Sequence, residues 1–280
     1  QDDTVTITAT FTEAMTTTPK IAISGVSSIS ATNMSGSGTT WTYAYTAPAG
    51  DGTETVALSA GTDASGNAVT SVPTSGATFT VDNTAPTLTA VTQVSTPGND
   101  TTPSYVFTTD EAGTITTNIT EGFSTSASAA TGSDQTITFN TLGAGTYTGK
   151  TVIVTDAAGN AGSITMTEFV IDTTAPTAAI TYSSAGPYKN GETVTITATF
   201  NGAVLDSPVP TIAIAGSGIA NVTSTNMTKV STTSYTYSYA VPTGDGTGTV
   251  TVGTGTDAAS NVVTSVPTSG ATFTVDNTAP

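Results

Sequence analysis

The chain has 280 residues, 36% of them hydrophobic and only 6% aromatic, which is enough for two or three ordinary domains with cores of small apolar side chains. Twenty Asp and Glu stand against four Lys and Arg, for a formal net charge of -16. That balance argues against nucleic acid and anionic membrane surfaces as partners and favours cations. Histidine and cysteine are absent, so disulfides, thiol nucleophiles and histidine triads are excluded. No run approaches the ~20 apolar residues of a membrane span.

The apolar residues recur at every second position. In Thr4–Phe11, TVTITATF, the side chains of Val5, Ile7, Ala9 and Phe11 share one face and four threonines the other, the pattern of a half-buried antiparallel strand. Lys20–Ser24 is a second run. Trp41, Tyr43 and Tyr45 alternate in a third, and Glu54–Ser59 and Ala77–Val81 follow. The first series stops at Asp82-Asn83-Thr84-Ala85-Pro86. Proline removes a ladder N–H and turns the residue before it away from the helical region, so a short stiff link begins there.

Beyond the link the predicted strands are Leu88–Val94, Ser104–Thr108, Thr114–Ile119, Gln135–Phe139, Thr151–Thr155 and Ile164–Ile171. They end in a second link, Asp172-Thr173-Thr174-Ala175-Pro176. A strand over Ala179–Ser183 and a bend at Gly186–Gly191 lead into TVTITATF again at 193–200. The chain closes with Asp276-Asn277-Thr278-Ala279-Pro280. Residues 70–86 and 264–280 are identical, and Pro19-Lys20-Ile21-Ala22-Ile23 matches Pro210-Thr211-Ile212-Ala213-Ile214. The first and last series are therefore copies of one type, and residues 87–172 form a second type. With about seven strands per series and no helical periodicity, the expected fold is all-β: tandem immunoglobulin-like β-sandwich modules in line, at 1–82, 87–172 and 177–276, with linkers at 83–86, 173–176 and 277–280. The first module lacks a counterpart of Ala179–Ser183. Either the chain is a window on a longer repetitive protein, or another chain supplies that strand.

The turn Thr155-Asp156-Ala157-Ala158-Gly159-Asn160, followed by a strand and then Ile171 to Pro176, resembles the bacterial immunoglobulin-like domains of large repetitive surface adhesins. The same pattern recurs at 62–67 with 81–86 and at 256–261 with 275–280, where Ser260 replaces the usual glycine. The resemblance implies a non-enzymatic extension or adhesion module at the cell surface, with calcium stiffening the joints.

In such a sandwich the second-to-third and sixth-to-seventh strand loops lie at the end where the chain enters, and the last strand leaves at the opposite end. At the first joint this geometry gathers Asp82 from the link with Asp110, Glu111 and Asp156 from two loops, and Asp51 is placed to approach. Acids so gathered repel unless a cation neutralises them, and an all-oxygen set selects calcium. The second joint offers Asp172, Asp257, Asn201 and Asp206, without an acid in the exit-end loop, so weaker binding or none is expected. The alternative at both joints is that each Asp caps its own turn. The rival functions are a filament subunit completed by strand donation and a carbohydrate-binding module that uses the Trp41, Tyr43 and Tyr45 stripe. Neighbouring modules, and surface glycans or proteins, are the expected partners.

Overall fold

The computed structural model describes residues 4–280; residues 1–3, where the first module is predicted to begin, lie outside the described residues. All regular structure among the described residues is β, and no helix there is long and apolar enough to cross a membrane.

The first segment holds β1 (Thr4–Met15), β2 (Lys20–Ser24), β3 (Ser28–Asn33), β4 (Ser35–Thr46), β5 (Gly52–Ser59) and β6 (Thr78–Val81). Among the described residues β1 pairs with β4 alone, Ile7 opposite Tyr43 and Ala9 opposite Trp41, while β3-β2-β5-β6 form a second sheet. Both sheets contribute to one core around Ile21, Ile23, Trp41, Tyr45, Val56 and Leu58. Trp41 and Tyr45 are buried and Tyr43 packs half-buried on the same core, so the aromatic stripe is no solvent-facing sugar platform.

The middle segment holds β7 (Leu88–Thr92), β8 (Ser104–Thr109), β9 (Gly113–Thr117), β10 (Ser128–Ala129), β11 (Gln135–Thr138), β12 (Gly145–Tyr147), β13 (Thr151–Thr155), β14 (Ala161–Thr165) and β15 (Phe169–Ile171). They form sheets in the orders β10-β9-β13-β14, β11-β8-β7 and β12-β15, around Tyr105, Phe107, Ile137, Phe139, Val152 and Phe169. The run predicted as one strand, Ile164–Ile171, is divided. β14 pairs with β13, whereas β15 pairs with β12, so the chain changes sheets at 166–168. The alternation changes phase at this point: Ile164 and Met166 fall on even positions, Phe169 and Ile171 on odd ones, with the exposed Thr167 and Glu168 between them.

The third segment holds β16 (Ala178–Tyr182), β17 (Thr193–Phe200), β18 (Thr211–Ala215), β19 (Val222–Asn226), β20 (Thr228–Lys229), β21 (Ser234–Ala240), β22 (Gly246–Gly253) and β23 (Thr272–Val275). Two four-stranded sheets, β16-β17-β21-β20 and β19-β18-β22-β23, share a core that includes Ile180, Ile196, Ala198, Ile212, Tyr235 and Val250. Paired sheets around one core are what a β-sandwich requires. Each hydrophobic cluster draws only on its own segment.

The first and third segments differ inside as well as at their edges. Glu54 lies opposite Phe79 in the β5–β6 ladder and is fully buried, with its carboxylate accepting from Tyr45 Oη at 2.8 Å and from the Ser27 N–H at 2.7 Å. Gly248 takes that place in the third segment, where the Phe273 ring fills the room a side chain would need.

Candidate metal centre at the first link

The link between the first two segments is held from both sides. On the first segment, Asp51 accepts hydrogen bonds from the Asn83 N–H at 2.5 Å and from the Thr84 hydroxyl, and the Asn83 amide donates to the carbonyls of Gly50 and Pro48. On the middle segment, Thr87 N–H donates to Asp110 Oδ1 at 2.6 Å, and Asp110 N–H donates back to the Thr87 carbonyl. A Cβ on Gly162 would lie 1.7 Å from the Pro86 carbonyl oxygen, so only glycine lets the link pass that close to β14.

Asp156 opens the turn between β13 and β14. Its carboxylate accepts the Asn160 N–H and the Asn160 side-chain amide, each at 2.9 Å. The same amide donates to the Asp82 backbone carbonyl at 3.1 Å. The turn-capping reading therefore holds for Asp156, and the capping Asn also reaches back to the link.

Three of the predicted acids converge. Carboxylate oxygens of Asp82, Glu111 and Asp156, all half-buried, lie within 4.8 Å of one another. Oxygens on one calcium ion sit ~2.3–2.6 Å from it, hence no more than about 5 Å apart, so this spacing accommodates a single ion. Glu111 Oε2 is inaccessible to water and has no hydrogen-bond partner. Burial, and then the charges of Asp82, Asp110, Asp156 and Asp51, hold the Glu111 carboxyl above its ordinary range. Asp51 and Asp110 are held below theirs, by the Thr84 hydroxyl and the Asn83 N–H in one case and by the Thr87 N–H in the other. Burial raises Asp156, but the hydrogen bonds from Asn160 outweigh it and its pKa is lowered. The five predicted acids thus divide the work: two hold the link, and three face one another.

The second link repeats the scaffold without the charge. Asn201 stands where Asp110 does, with Oδ1 accepting Thr177 N–H at 2.9 Å, and the Asn201 N–H donating to the Thr177 carbonyl. Asp257 caps its turn through Asn261, whose amide donates to the Asp172 carbonyl at 2.8 Å. Gly202 occupies the place of Glu111, and Asp172 and Asp257 line a shallow cleft with it and Asn201. Asp206 is engaged elsewhere: it forms an ion pair with Lys229 at 2.7 Å and accepts from Tyr235 Oη at 3.3 Å.

Sequence reasoning passed over three groups. Asn160 and Asn261 bridge the links, and the signal was present in the recurring Asp-x-x-x-Asn spacing at 63–67, 156–160 and 257–261. The third is Asp245, which accepts from Asn277 N–H and Thr278 Oγ1 as Asp51 does from Asn83 and Thr84. Its place in the Gly-Asp-Gly turn at 244–246, matching 50–52, was the signal for it.

No family model matches the chain, and no curated protein matches it. Among solved structures, a protein of Corynebacterium diphtheriae described as membrane-anchored is similar over 99% of this chain and 86% of that one, at 14% identity and a TM-score of 0.21. So loose a likeness carries no argument about fold or function.

Proposed function

We propose that the chain is a non-catalytic spacer of an extracellular surface protein. In this reading, immunoglobulin-like modules at 1–82, 87–172 and 177–276 are linked in tandem, and calcium ties the first two together. The observation that carries it is the cluster of Asp82, Glu111 and Asp156, one acid from the link and two from loops of the next segment, with a buried, unpartnered oxygen on Glu111. Asp82 and Glu111 gain nothing from proximity in the metal-free state, since like charges this close repel. An oxygen-only set suits calcium or magnesium, and the loose spacing suits the larger ion. Affinity is expected in the ~10⁻⁴–10⁻³ M range of extracellular modules.

The test is calorimetric titration with calcium, alongside small-angle scattering in calcium and in chelator. Calcium should bind at one site, and the distribution of particle dimensions should narrow. Absence of saturable binding up to ~10 mM would remove the metal from the reading.

A further inference from the structure

The third segment carries Asn201-Gly202 directly after its TVTITATF strand, β17. In the first segment the same octapeptide is followed by Thr12-Glu13, and in the middle segment Asp110-Glu111 hold that place. The chain has one other Asn-Gly pair, Asn190-Gly191, in the bend before β17. An asparagine followed by glycine can react with its own backbone. The next nitrogen reaches the side-chain carbonyl carbon, and glycine puts no Cβ in the way of that close approach.

The surroundings of Asn201 leave each reacting group ready. The residue is exposed, and its Oδ1 accepts the Thr177 N–H at 2.9 Å. That bond polarises the side-chain carbonyl and stabilises negative charge developing on its oxygen. Nδ2, the group that would leave, has no hydrogen-bond partner among the described residues, and neither has the Gly202 N–H. The Asn201 N–H donates to the Thr177 carbonyl at 3.0 Å, which holds the backbone of the pair in place. Asn190 differs where it matters: the Gly191 N–H is engaged by the Val241 carbonyl at 3.4 Å, and Gly191 has φ +85.

We propose that Asn201-Gly202 is a self-modifying site, which turns the asparagine of the second link into a carboxylate as the protein ages. The Gly202 nitrogen gives its proton to a water-borne base and bonds to Asn201 Cγ. The Cγ–Nδ2 bond breaks, and Nδ2 takes protons from solvent and leaves as ammonium. Water then opens the cyclic imide. Cleavage between Cγ and the Gly202 nitrogen leaves aspartate. Cleavage between that nitrogen and the Asn201 backbone carbonyl carbon leaves isoaspartate, with the main chain one carbon longer. Either way water is consumed, ammonium is released and a negative charge is gained. The aspartyl product is to the second link what Asp110 is to the first, where a carboxylate oxygen accepts the Thr87 N–H at 2.6 Å. The new charge enters the cleft that Asp172 and Asp257 line. The inference goes beyond the spacer reading and does not depend on metal.

The full chain is incubated in mildly alkaline buffer with chelator. Deamidation at each asparagine is followed by mass spectrometry of proteolytic peptides, and isoaspartate is counted by enzymatic methylation. Asn201 should convert first, ahead of Asn190, with both products formed. Its rate should be at least as high in the folded chain as in denaturant, because the Thr177 N–H acts only in the fold. Gly202→Ala should bring the rate down to that of Asn160 and Asn261, which precede Ala161 and Val262. A Cβ at Gly202 meets nothing within 4 Å and its φ lies outside the left-handed region, so this variant should keep the fold. An Asn201 that stays intact, or converts no faster than Asn190, overturns the proposal. So does a slower rate in the fold than in denaturant, or an unchanged rate in Gly202→Ala.

Discussion

The side-chain amide of Asn160 donates to the backbone carbonyl of Asp82 at 3.1 Å, and so joins the turn of one segment to the link that ends the previous one. Asn261 and Asp172 make the same bond at 2.8 Å. Each asparagine also closes its own turn on an aspartate, so removing it costs both the bridge and the cap. Asn160→Ala and Asn261→Ala should each destabilise the neighbouring segments by about 1–2 kcal/mol, the worth of one or two net hydrogen bonds. Differential scanning calorimetry in chelator measures this, and an effect seen only in calcium would refute the bridging role.

Calcium should raise the melting temperature of the parent chain and leave Glu111→Gln and Asp156→Asn close to their metal-free values. Asp172→Asn should preserve the response, because the second link has Gly202 where the first has Glu111. Equal loss in all three variants would place the ion elsewhere.

The pH dependence of the metal-free chain follows from Glu111, whose carboxyl is held above its ordinary range by burial and by the neighbouring aspartates. Below the ordinary carboxylate range both the folded and unfolded states hold its proton. Between the ordinary and the raised values only the folded state holds it, so stability falls as pH rises through that window. The parent chain in chelator should therefore lose stability relative to Glu111→Gln across that interval. Calcium should reverse the order. Thermal melts of the two proteins from pH 4 to 8, with and without the ion, provide the comparison.

Gly162→Val should disturb the first link, because the Pro86 carbonyl oxygen occupies the place of its first side-chain carbon. Overpacking of this kind costs about 1–3 kcal/mol. The matching position of the third segment is Val263, which is buried without difficulty, so the sensitivity belongs to the way Pro86 is seated and not to the turn. Denaturant midpoints report it.

Ile196→Ala and Ile7→Ala change the same residue of the same octapeptide. Ile196 is fully buried, and its truncation should cost about 2–5 kcal/mol. Ile7 is half-buried, so its loss should cost markedly less. Equal penalties in denaturant titrations would contradict the difference in burial.

Much of this was legible from alternation and repeats. The all-β character, most of the strands and both links could be read because threonine and apolar residues alternate with period two and Ala-Pro punctuates them. β3 escaped because its Ser, Ala and Thr residues are mostly exposed and give no apolar contrast. The sheet switch between β14 and β15 was marked by a phase shift across Thr167 and Glu168, and it escaped because a period of two holds on either side of that shift. At the first link, convergence of Asp82, Glu111 and Asp156 followed from loop order alone. The separate task of Asp51 and Asp110 did not, since which carboxylate oxygen accepts which N–H depends on side-chain rotamers. Asp206 was misplaced for a related reason: its loop position was legible, but its ion pair with Lys229 across 23 residues was not.

The bonds around the first link leave little to turn. Asn83 and Thr84 are tied back to Asp51, Thr87 is tied forward to Asp110, and the Pro86 carbonyl is seated against Gly162, so the freedom left to turn centres on Ala85. The second link has no acid in the matching backward position, and the Thr174 N–H donates to Asp172 two residues away. Under bending load the molecule should therefore yield between residues 173 and 175 first, with or without an ion at the other link.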